Sequence, residues 1–373
     1  MTGPGAPGLG LAAVPDGGRV NFDRLRAERH HRLLDAMAEN GIDAMVLGRP
    51  ANIAFASGAR QLWTSGARPF GPGCVVVAGT GRVHLLSVWD EGVPAEIAHD
   101  DLYGLSWNPA NLMRDLREIE GLATSRVVAT DGLSPGFPQF LAAIAADARV
   151  VDGGPALRRA REIKSADEIA CIETAAAIAE SALAAMVAAL VPGVTEGALR
   201  AVYAETVARL GSPTPPSEEV ATVGGTGGAA AGDVVALHPG AMYAGYEAGI
   251  GRSWSVPGRR PGPGASELAA SARRRLASLV AGCTAGATGA DLCETWRRAG
   301  GGPISEPLAI GLGLGVEAPV ISSAAGAGET LRAGQVLLVE ARAGDVVERE
   351  TVLVTGSEPR VLTAFGRDPD LGA

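Results

Sequence analysis

The chain has 373 residues, a size that usually divides into two domains. Hydrophobic residues make up 47% of it and charged residues 20%, which is typical of a globular protein with enough apolar material for a core. The net charge of -9 argues against a nucleic-acid partner, since phosphate binding requires an excess of Lys and Arg on one face.

Residues 1–20 have neither the basic start nor the long apolar core of an export signal, and we interpret them as a disordered leader. Gly, Pro or charge interrupts each apolar stretch before it reaches the roughly 20 residues that span a bilayer, so we expect no membrane partner. The four cysteines form no CxxC pair and no regular framework spacing. Such thiols are typical of a reducing compartment, and we expect a cytoplasmic protein.

Helical and strand-like patterns alternate over residues 21–152. Apolar residues recur at helical spacing over residues 22–41, and the apolar segment 44–47 is typical of the strand that follows. Further strand patterns at 74–79 and 126–130 are separated by helical ones. This alternation predicts an α/β domain.

A second domain is predicted over residues 153–373. Its long first helix is marked by Ser165 and Glu168, which have the spacing of a capping box. A loop rich in Gly and Pro follows over residues 211–233, and strand patterns then alternate with two further helical segments. We predict an α+β domain in which helices bracket a largely antiparallel sheet.

Several segments resemble motifs of the creatinase/prolidase/aminopeptidase P family. They are RPANIAFASGAR, REIKSADEIACIETA, VPGVTEGALRA, AGDVVALHPGAMYAGYEAGIGRSWSVPG, IGLGLGVEAPV, AGQVLLVEARAG and VERETVLVTG. Their shared order and spacing cover nearly the whole chain. The resemblance implies the fold of that family, with a creatinase-like first domain and a pita-bread second domain, and it implies a homodimer.

The resemblance also implies where a two-metal hydrolytic site would lie. Family peptidases hold two divalent ions with two Asp, one His and two Glu, which clamp a hydroxide nucleophile. In this sequence those positions fall on His238, Gly249, Ile310, Glu340 and Arg349. Glycine and isoleucine offer no ligand atom, and an arginine would repel a cation. A shift of one residue would place Glu348 or Glu350 at the last position, and the sequence leaves that alternative open.

Histidines are also fewer than the resemblance implies. Family sites use one His as a ligand and two more as proton donors or oxyanion stabilisers, whereas residues 101–373 contain a single histidine, His238. These substitutions lead us to expect no cofactor.

Three residues are candidate catalytic groups. His238 precedes a Pro-Gly turn and could be a general base, although a hydrogen-bonded structural role explains it equally well. Glu317 could face the same cavity or lie in an exposed turn. Glu340 lies in an apolar strand pattern, where an ionised carboxylate needs a partner. It could therefore form a structural ion pair or act as a catalytic acid or base.

The partner of Glu340 is left open between Arg252, Arg342 and Arg349. The resemblance makes Arg252 and Tyr246 candidates for substrate binding as well. Trp63 is a third candidate, because the first domain of one family subunit often caps the site of another.

Three function hypotheses follow. The first is a degenerate family member that acts as a binding or regulatory scaffold for a small amino-acid-like or peptide ligand. The second is a metal-independent hydrolase or lyase that acts on a small amino-acid derivative in the same cavity. The third is an Xaa-Pro-type metallopeptidase with an atypical ligand set that includes His238, Glu340 and Glu350.

Overall fold

The computed structural model describes residues 18–59, 72–87, 90, 92–104, 108–132, 137–212, 216, 220–224 and 227–372. They form two compact units, of which the first includes Asn21–Arg161 and the second includes Glu162–Ala373. The sequence places the domain boundary slightly earlier, between residues 152 and 153. The predicted leader lies almost wholly outside the described residues.

The first unit is built around one mixed sheet. Its helices are α1 (Phe22–Glu39), α2 (Pro50–Ser57), α3 (Pro109–Glu118), α4 (Phe137–Ile144) and α5 (Gly154–Arg161), with a 3-10 turn at His99–Asp101. Its strands are β1 (Ala44–Leu47), β2 (Cys74–Val77), β3 (Arg82–Leu86), β4 (Leu102–Tyr103), β5 (Val127–Thr130) and β6 (Arg149–Asp152). Their order is β4-β3-β2-β1-β5-β6, with β1 antiparallel to β2 and parallel to β5.

The centre of this sheet explains the apolar runs in the sequence. Every residue of β1 and β2 is buried, as expected for central strands with both faces covered. Side chains from strands and helices meet in one core that includes Val46, Val75, Leu116 and Leu141. The predicted α/β class of the first domain is confirmed.

The second unit combines four helices with antiparallel sheets. Its helices are α6 (Ala166–Ala188), α7 (Glu196–Arg209), α8 (Ala265–Gly282) and α9 (Gly289–Arg298), with a 3-10 turn at Pro369–Leu371. Its strands are β7 (Ala221–Thr222), β8 (Val234–Leu237), β9 (Gly240–Tyr243), β10 (Tyr246–Gly249), β11 (Arg252–Ser255), β12 (Ala309–Gly313), β13 (Gly315–Ile321), β14 (Val336–Ala343), β15 (Val346–Leu353) and β16 (Arg360–Val361). The predicted α+β class of this domain is confirmed.

These strands form three described sheets. Their orders are β10-β9, β11-β8-β7 and β13-β12-β14-β15-β16. Helix α6 packs against β9 and β10, and α8 packs against β14 and β15. A backbone bridge between Gly251 and Arg349, with both N–H···O distances at 3.0 Å, links the segment beside β11 to β15. The sheets therefore meet at the middle of the β14–β15 hairpin.

Helix α6 begins at the capping box that the sequence predicts. The Ser165 hydroxyl accepts the Glu168 N–H at 3.4 Å, and the Ser165 N–H donates to the Glu168 carboxylate at 2.7 Å. By length and composition α6 could cross a membrane, but 61% of its most apolar window is buried within the protein. Such burial is typical of a core helix.

Candidate functional site

The β14–β15 hairpin carries its charged side chains on two faces. Because side chains alternate along a strand, Glu340 and Arg342 lie on one face of β14, and the register places Arg349 of β15 directly opposite Glu340. We call this the front face. Glu348 and Glu350 point to the other side, the rear face. The register thus answers a question that the sequence leaves open: the position that faces Glu340 across the hairpin is Arg349.

Two of the other positions that hold metal ligands in the family, Ile310 and Gly249, lie beside the front face. Ile310 of β12 lies opposite Leu338, two residues before Glu340 on the same side of β14. Gly249, at the end of β10, also contacts Leu338: a Cβ added there would lie 3.3 Å from its Cδ1. Four of the positions that the resemblance assigns to ligands, Gly249, Ile310, Glu340 and Arg349, are therefore neighbours in space, and the aliphatic side chain of Leu338 lies among them.

Glu340 is held by two arginines. Its Oε2 accepts a hydrogen bond from Arg349 Nε at 2.7 Å and a second one from Arg349 Nη2. Its Oε1 accepts from Arg342 Nε at 2.5 Å. Burial raises the pKa of the Glu340 carboxyl, but the charge of Arg349 and the bonds from Arg342 outweigh that effect, so the pKa is lowered. Glu340 is an ionised carboxylate shared between two cations.

The close approach of Arg349 to β11 depends on a glycine. A Cβ added at Gly251 would lie 2.7 Å from the Cβ of Arg349, closer than two carbon atoms can approach. Any side chain at this position would force the strands apart and displace Arg349 from Glu340. Gly251 therefore permits the contact that positions the front-face ion pair.

Glu247 is a front-side residue that the sequence analysis missed. It precedes Gly249 by two residues on β10, so both point to the same side of that strand. Burial raises the pKa of its carboxyl, and the nearby charge of Arg349 partly offsets the increase. Within the described residues its carboxylate has no hydrogen bond, which distinguishes it from Glu340. Strand alternation from Gly249 was the signal that could have identified it.

Arg252 belongs to the rear face. Its Nη2 donates to Glu350 Oε1 at 2.6 Å, and its Nη1 lies 3.6 Å from Glu348 Oε2. Remaining N–H groups donate to the carbonyls of Gly251, Arg349 and Phe365. Arg252 is 1% exposed, and its carboxylate partners are Glu350 and Glu348. The pKa of Glu348 is raised because burial outweighs the nearby arginines.

The candidate catalytic residues His238, which is buried, and Glu317, which is partly buried, both take part in structural contacts. The His238 N–H donates to Val220 O at 2.8 Å, and its ring Nε2 lies 3.4 Å from Thr222 Oγ1. Glu317 Oε2 accepts from Lys164 Nζ at 2.8 Å, and its Oε1 accepts from the Leu314 N–H at 3.2 Å. The exposed-turn alternative for Glu317 does not hold, because only 10% of its side chain is exposed.

The candidate ligand-binding residue Tyr246 points away from the front face. Its hydroxyl donates at 2.6 Å to Oε1 of Glu168, the same carboxylate that caps α6. It is 1% exposed, and Glu247 beside it points to the opposite side of β10. Trp63, the remaining candidate, lies outside the described residues.

Comparisons with known proteins give two family matches. Residues 170–356 match the model of metallopeptidase family M24, and residues 29–163 match the creatinase/prolidase N-terminal domain. No curated protein matches the chain.

Solved structures share the fold. The chain is 22% identical to a prolidase from Pyrococcus horikoshii OT3, with a TM-score of 0.73 over 91% of this chain and 99% of that one. It is 19% identical to an Xaa-Pro dipeptidase from Bacillus anthracis, with a TM-score of 0.73 over 92% of this chain and 99% of that one. It is 20% identical to an X-Pro aminopeptidase from Thermotoga maritima MSB8, with a TM-score of 0.73 over 91% of this chain and 98% of that one.

The expectation of no cofactor is wrong. The M24 match identifies a family of metallopeptidases, and divalent metal is the cofactor of that family. Among the described residues no group of three or more His, Cys, Asp or Glu side chains is placed to hold a metal ion. At the expected ligand positions both oxygens of Glu340 already accept bonds from arginines. This arrangement does not fit a two-metal cluster, and we derive no step through one.

The two family models adjoin along the chain, and the M24 model alone spans half of it. The order of the motifs, the α/β unit followed by the pita-bread unit, and the shared fold of the prolidases agree with those matches. The chain is a member of metallopeptidase family M24 and has the creatinase/prolidase/aminopeptidase P architecture.

Proposed function

We propose that this chain is a binding protein of the creatinase/prolidase type, whose front face recognises a small amino-acid-like or short peptide ligand. The observation that carries the proposal is the ion pair of Arg349 with Glu340. It replaces the two facing carboxylates that the family's hydrolytic site requires at these positions with a cation and an anion.

The charge balance of the front face supports a ligand with both an anionic and a cationic end. Arg342 and Arg349 share the single carboxylate of Glu340, which leaves one positive charge in excess. The carboxylate of Glu247 is close enough to Arg349 for the arginine charge to affect its pKa. A ligand carboxylate would be attracted to the arginines, and a ligand ammonium group would be attracted to Glu247.

The accessibility of these groups supports the same proposal. Arg349 has 20% of its side chain exposed, whereas Arg252 on the rear face has 2%. A ligand can therefore reach the partly exposed Arg349 without unfolding of the protein. The arginine is already oriented by Glu340, so little conformational entropy has to be lost when it binds a carboxylate.

Isothermal titration calorimetry tests the proposal with free amino acids and dipeptides as probes. The unmodified chain should bind members of this set, and Glu247→Gln should weaken that binding at least tenfold, since a charge-assisted hydrogen bond contributes about 1.5–3 kcal/mol. Glu205→Gln is the matched control, because Glu205 is exposed on α7. Catalytic hydrolysis of Xaa-Pro dipeptides by the unmodified chain with added Mn2+, Co2+ or Zn2+ would contradict the proposal and indicate a peptidase.

The homodimer and the cytoplasmic location also stay proposals. The family resemblance supports the dimer, and light scattering at micromolar concentration tests it. A monomeric mass would contradict it. Fractionation of cells that make the protein tests the location.

A further inference from the structure

A cavity of about 410 Å³ adjoins the front-face ion pair. It is lined by Glu340 and Arg342 of β14, by Arg275 and Trp296 from α8 and α9, and by the loop that connects α9 to β12. Its volume is within the range of small-molecule sites. The cavity therefore extends the candidate site beyond Glu340 along β14.

Arg342 is anchored at two points in this cavity. Its Nε donates to Glu340 at 2.5 Å, and its backbone carbonyl accepts a hydrogen bond from Arg275 Nη1 at 2.6 Å. Arg275 is itself fixed, because its Nη2 donates to Gly300 O at 2.5 Å and its guanidinium lies 5.3 Å from the centre of the Trp296 ring. Arg275 thus supports the position of Arg342 and is already engaged.

The terminal amino groups of Arg342 have no hydrogen-bond partner within the described part of the chain. Its side chain is 42% exposed, compared with 20% for Arg349. Arg349 uses two nitrogens on Glu340, whereas Arg342 uses only Nε. The guanidinium of Arg342 is therefore held by Glu340 through Nε, and its two terminal nitrogens are available to a ligand. This geometry suits a carboxylate.

We propose that this cavity binds a second carboxylate of the ligand, the acidic side chain of an amino-acid-like or peptide molecule, and that Arg342 determines this specificity. The inference rests on the proposed binding function and names the ligand class. Glu306 also lines the cavity and is exposed to solvent, so its repulsion of an anion is weakened by water and salt.

Calorimetry with three probes tests the inference. They are the dipeptide Ala-Glu, its neutral analogue Ala-Gln, and glutarate, a dicarboxylate without an amine. The unmodified chain should bind Ala-Glu at least tenfold more tightly than Ala-Gln. Arg342→Gln should remove that preference, because it should weaken the binding of Ala-Glu far more than the binding of Ala-Gln, while Arg342→Lys should keep part of the preference. Glu306→Gln should bind Ala-Glu about twofold more tightly, because a like charge is removed.

Arg298→Gln is the matched control. Arg298 is an exposed arginine of α9 that pairs with Glu294 and does not line the cavity. Thermal melting of each variant establishes that the fold is retained.

The outcomes separate this inference from the proposed function. Equal binding of Ala-Glu by Arg342→Gln and the unmodified chain would overturn the role of Arg342. Binding of glutarate that depends on Arg342, without binding of either dipeptide, would support the cavity and overturn the amino-acid ligand. If none of the three probes binds the unmodified chain, the proposal that the cavity binds a carboxylate is overturned.

Discussion

The two faces of the β14–β15 hairpin carry similar charges but differ in access to water. On the rear face the side chain of Arg252 is 2% exposed, and its nitrogens donate to a carboxylate and to three backbone carbonyls. On the front face Arg349 and Arg342 share one carboxylate, and their side chains are 20% and 42% exposed. Strand alternation alone separates the two clusters.

Ion pairs on one hairpin can therefore have different roles. A fully buried arginine with every partner in place is a fixed part of the fold, since its removal would leave Glu348 and Glu350 with only the more exposed Arg273 and Arg367 as cations. A partly exposed arginine with free nitrogens can exchange partners with a ligand. Stability should therefore depend mainly on the rear face, and binding on the front face.

The largest expected effect is on the rear face. Arg252→Met should lower the free energy of unfolding by about 3–5 kcal/mol, because Glu350 and Glu348 lose their most buried cation. Urea denaturation measures the change, and Arg298→Met on exposed α9 is the control, with an expected change within about 0.5 kcal/mol. A loss below about 1 kcal/mol would show that the rear pair is not required for stability.

A smaller loss is expected on the front face. Glu340→Gln should cost about 2–3 kcal/mol, since Arg349 and Arg342 can be partly solvated once their carboxylate is gone. The lowered pKa of Glu340 means that its contribution is complete above the ordinary carboxyl pKa and is lost as the pH falls through the lower folded value.

Melting curves of the Glu340→Gln variant and the unmodified chain should therefore converge as the pH falls below the ordinary carboxyl pKa and through the lowered folded pKa of Glu340. An unchanged midpoint at pH 7 would contradict the ion pair.

Two glycine variants test whether the close approach of Arg349 to β11 contributes to stability. Gly251→Ala should cost about 1–3 kcal/mol, because the new Cβ would overlap the Cβ of Arg349. Gly249→Ala should cost less than about 1 kcal/mol, since its Cβ would approach a methyl group of Leu338 at 3.3 Å and its other contacts, at 3.8 Å, are ordinary. Thermal denaturation compares the two variants. Equal losses would show that the approach of Arg349 to β11 has no special role.

The smallest effect concerns Glu247. Burial raises its pKa above that of the unfolded chain, so its contribution to stability is present below the ordinary carboxyl pKa and lost as the pH rises through the folded value. Glu247→Gln lacks this loss and should be more stable than the unmodified chain at pH 7, by less than about 1 kcal/mol. Melting curves from pH 4 to pH 8 test this; a less stable variant at pH 7 would assign Glu247 a structural ion pair.

Local patterns predict much of the fold. The capping box of Ser165 and Glu168 starts α6 because both groups lie within one helical turn. The ordered motifs also predict the positions that meet at the hairpin, from Gly249 to Arg349. Such features depend on near neighbours in the sequence or on a shared architecture.

The pairing of the charges could not be predicted. The choice between Arg252, Arg342 and Arg349 as partners of Glu340 depends on which face of a strand each side chain occupies and on the register between strands. Glu247 was missed because no motif assigns it a role, although strand alternation from Gly249 places it on the same side of β10. The expectation of no cofactor was wrong because it followed from substituted residues alone, whereas the family match covers half of the chain.

The contact between Lys164 and Glu317 has a consequence for the order in which the protein is made. The two residues are 153 positions apart, and the Lys164 ammonium is 2% exposed. During synthesis this ion pair cannot form until β13 has emerged, because Glu317 lies on that strand. The start of the second unit therefore acquires the contact late, and a chain shortened before Glu317 lacks it.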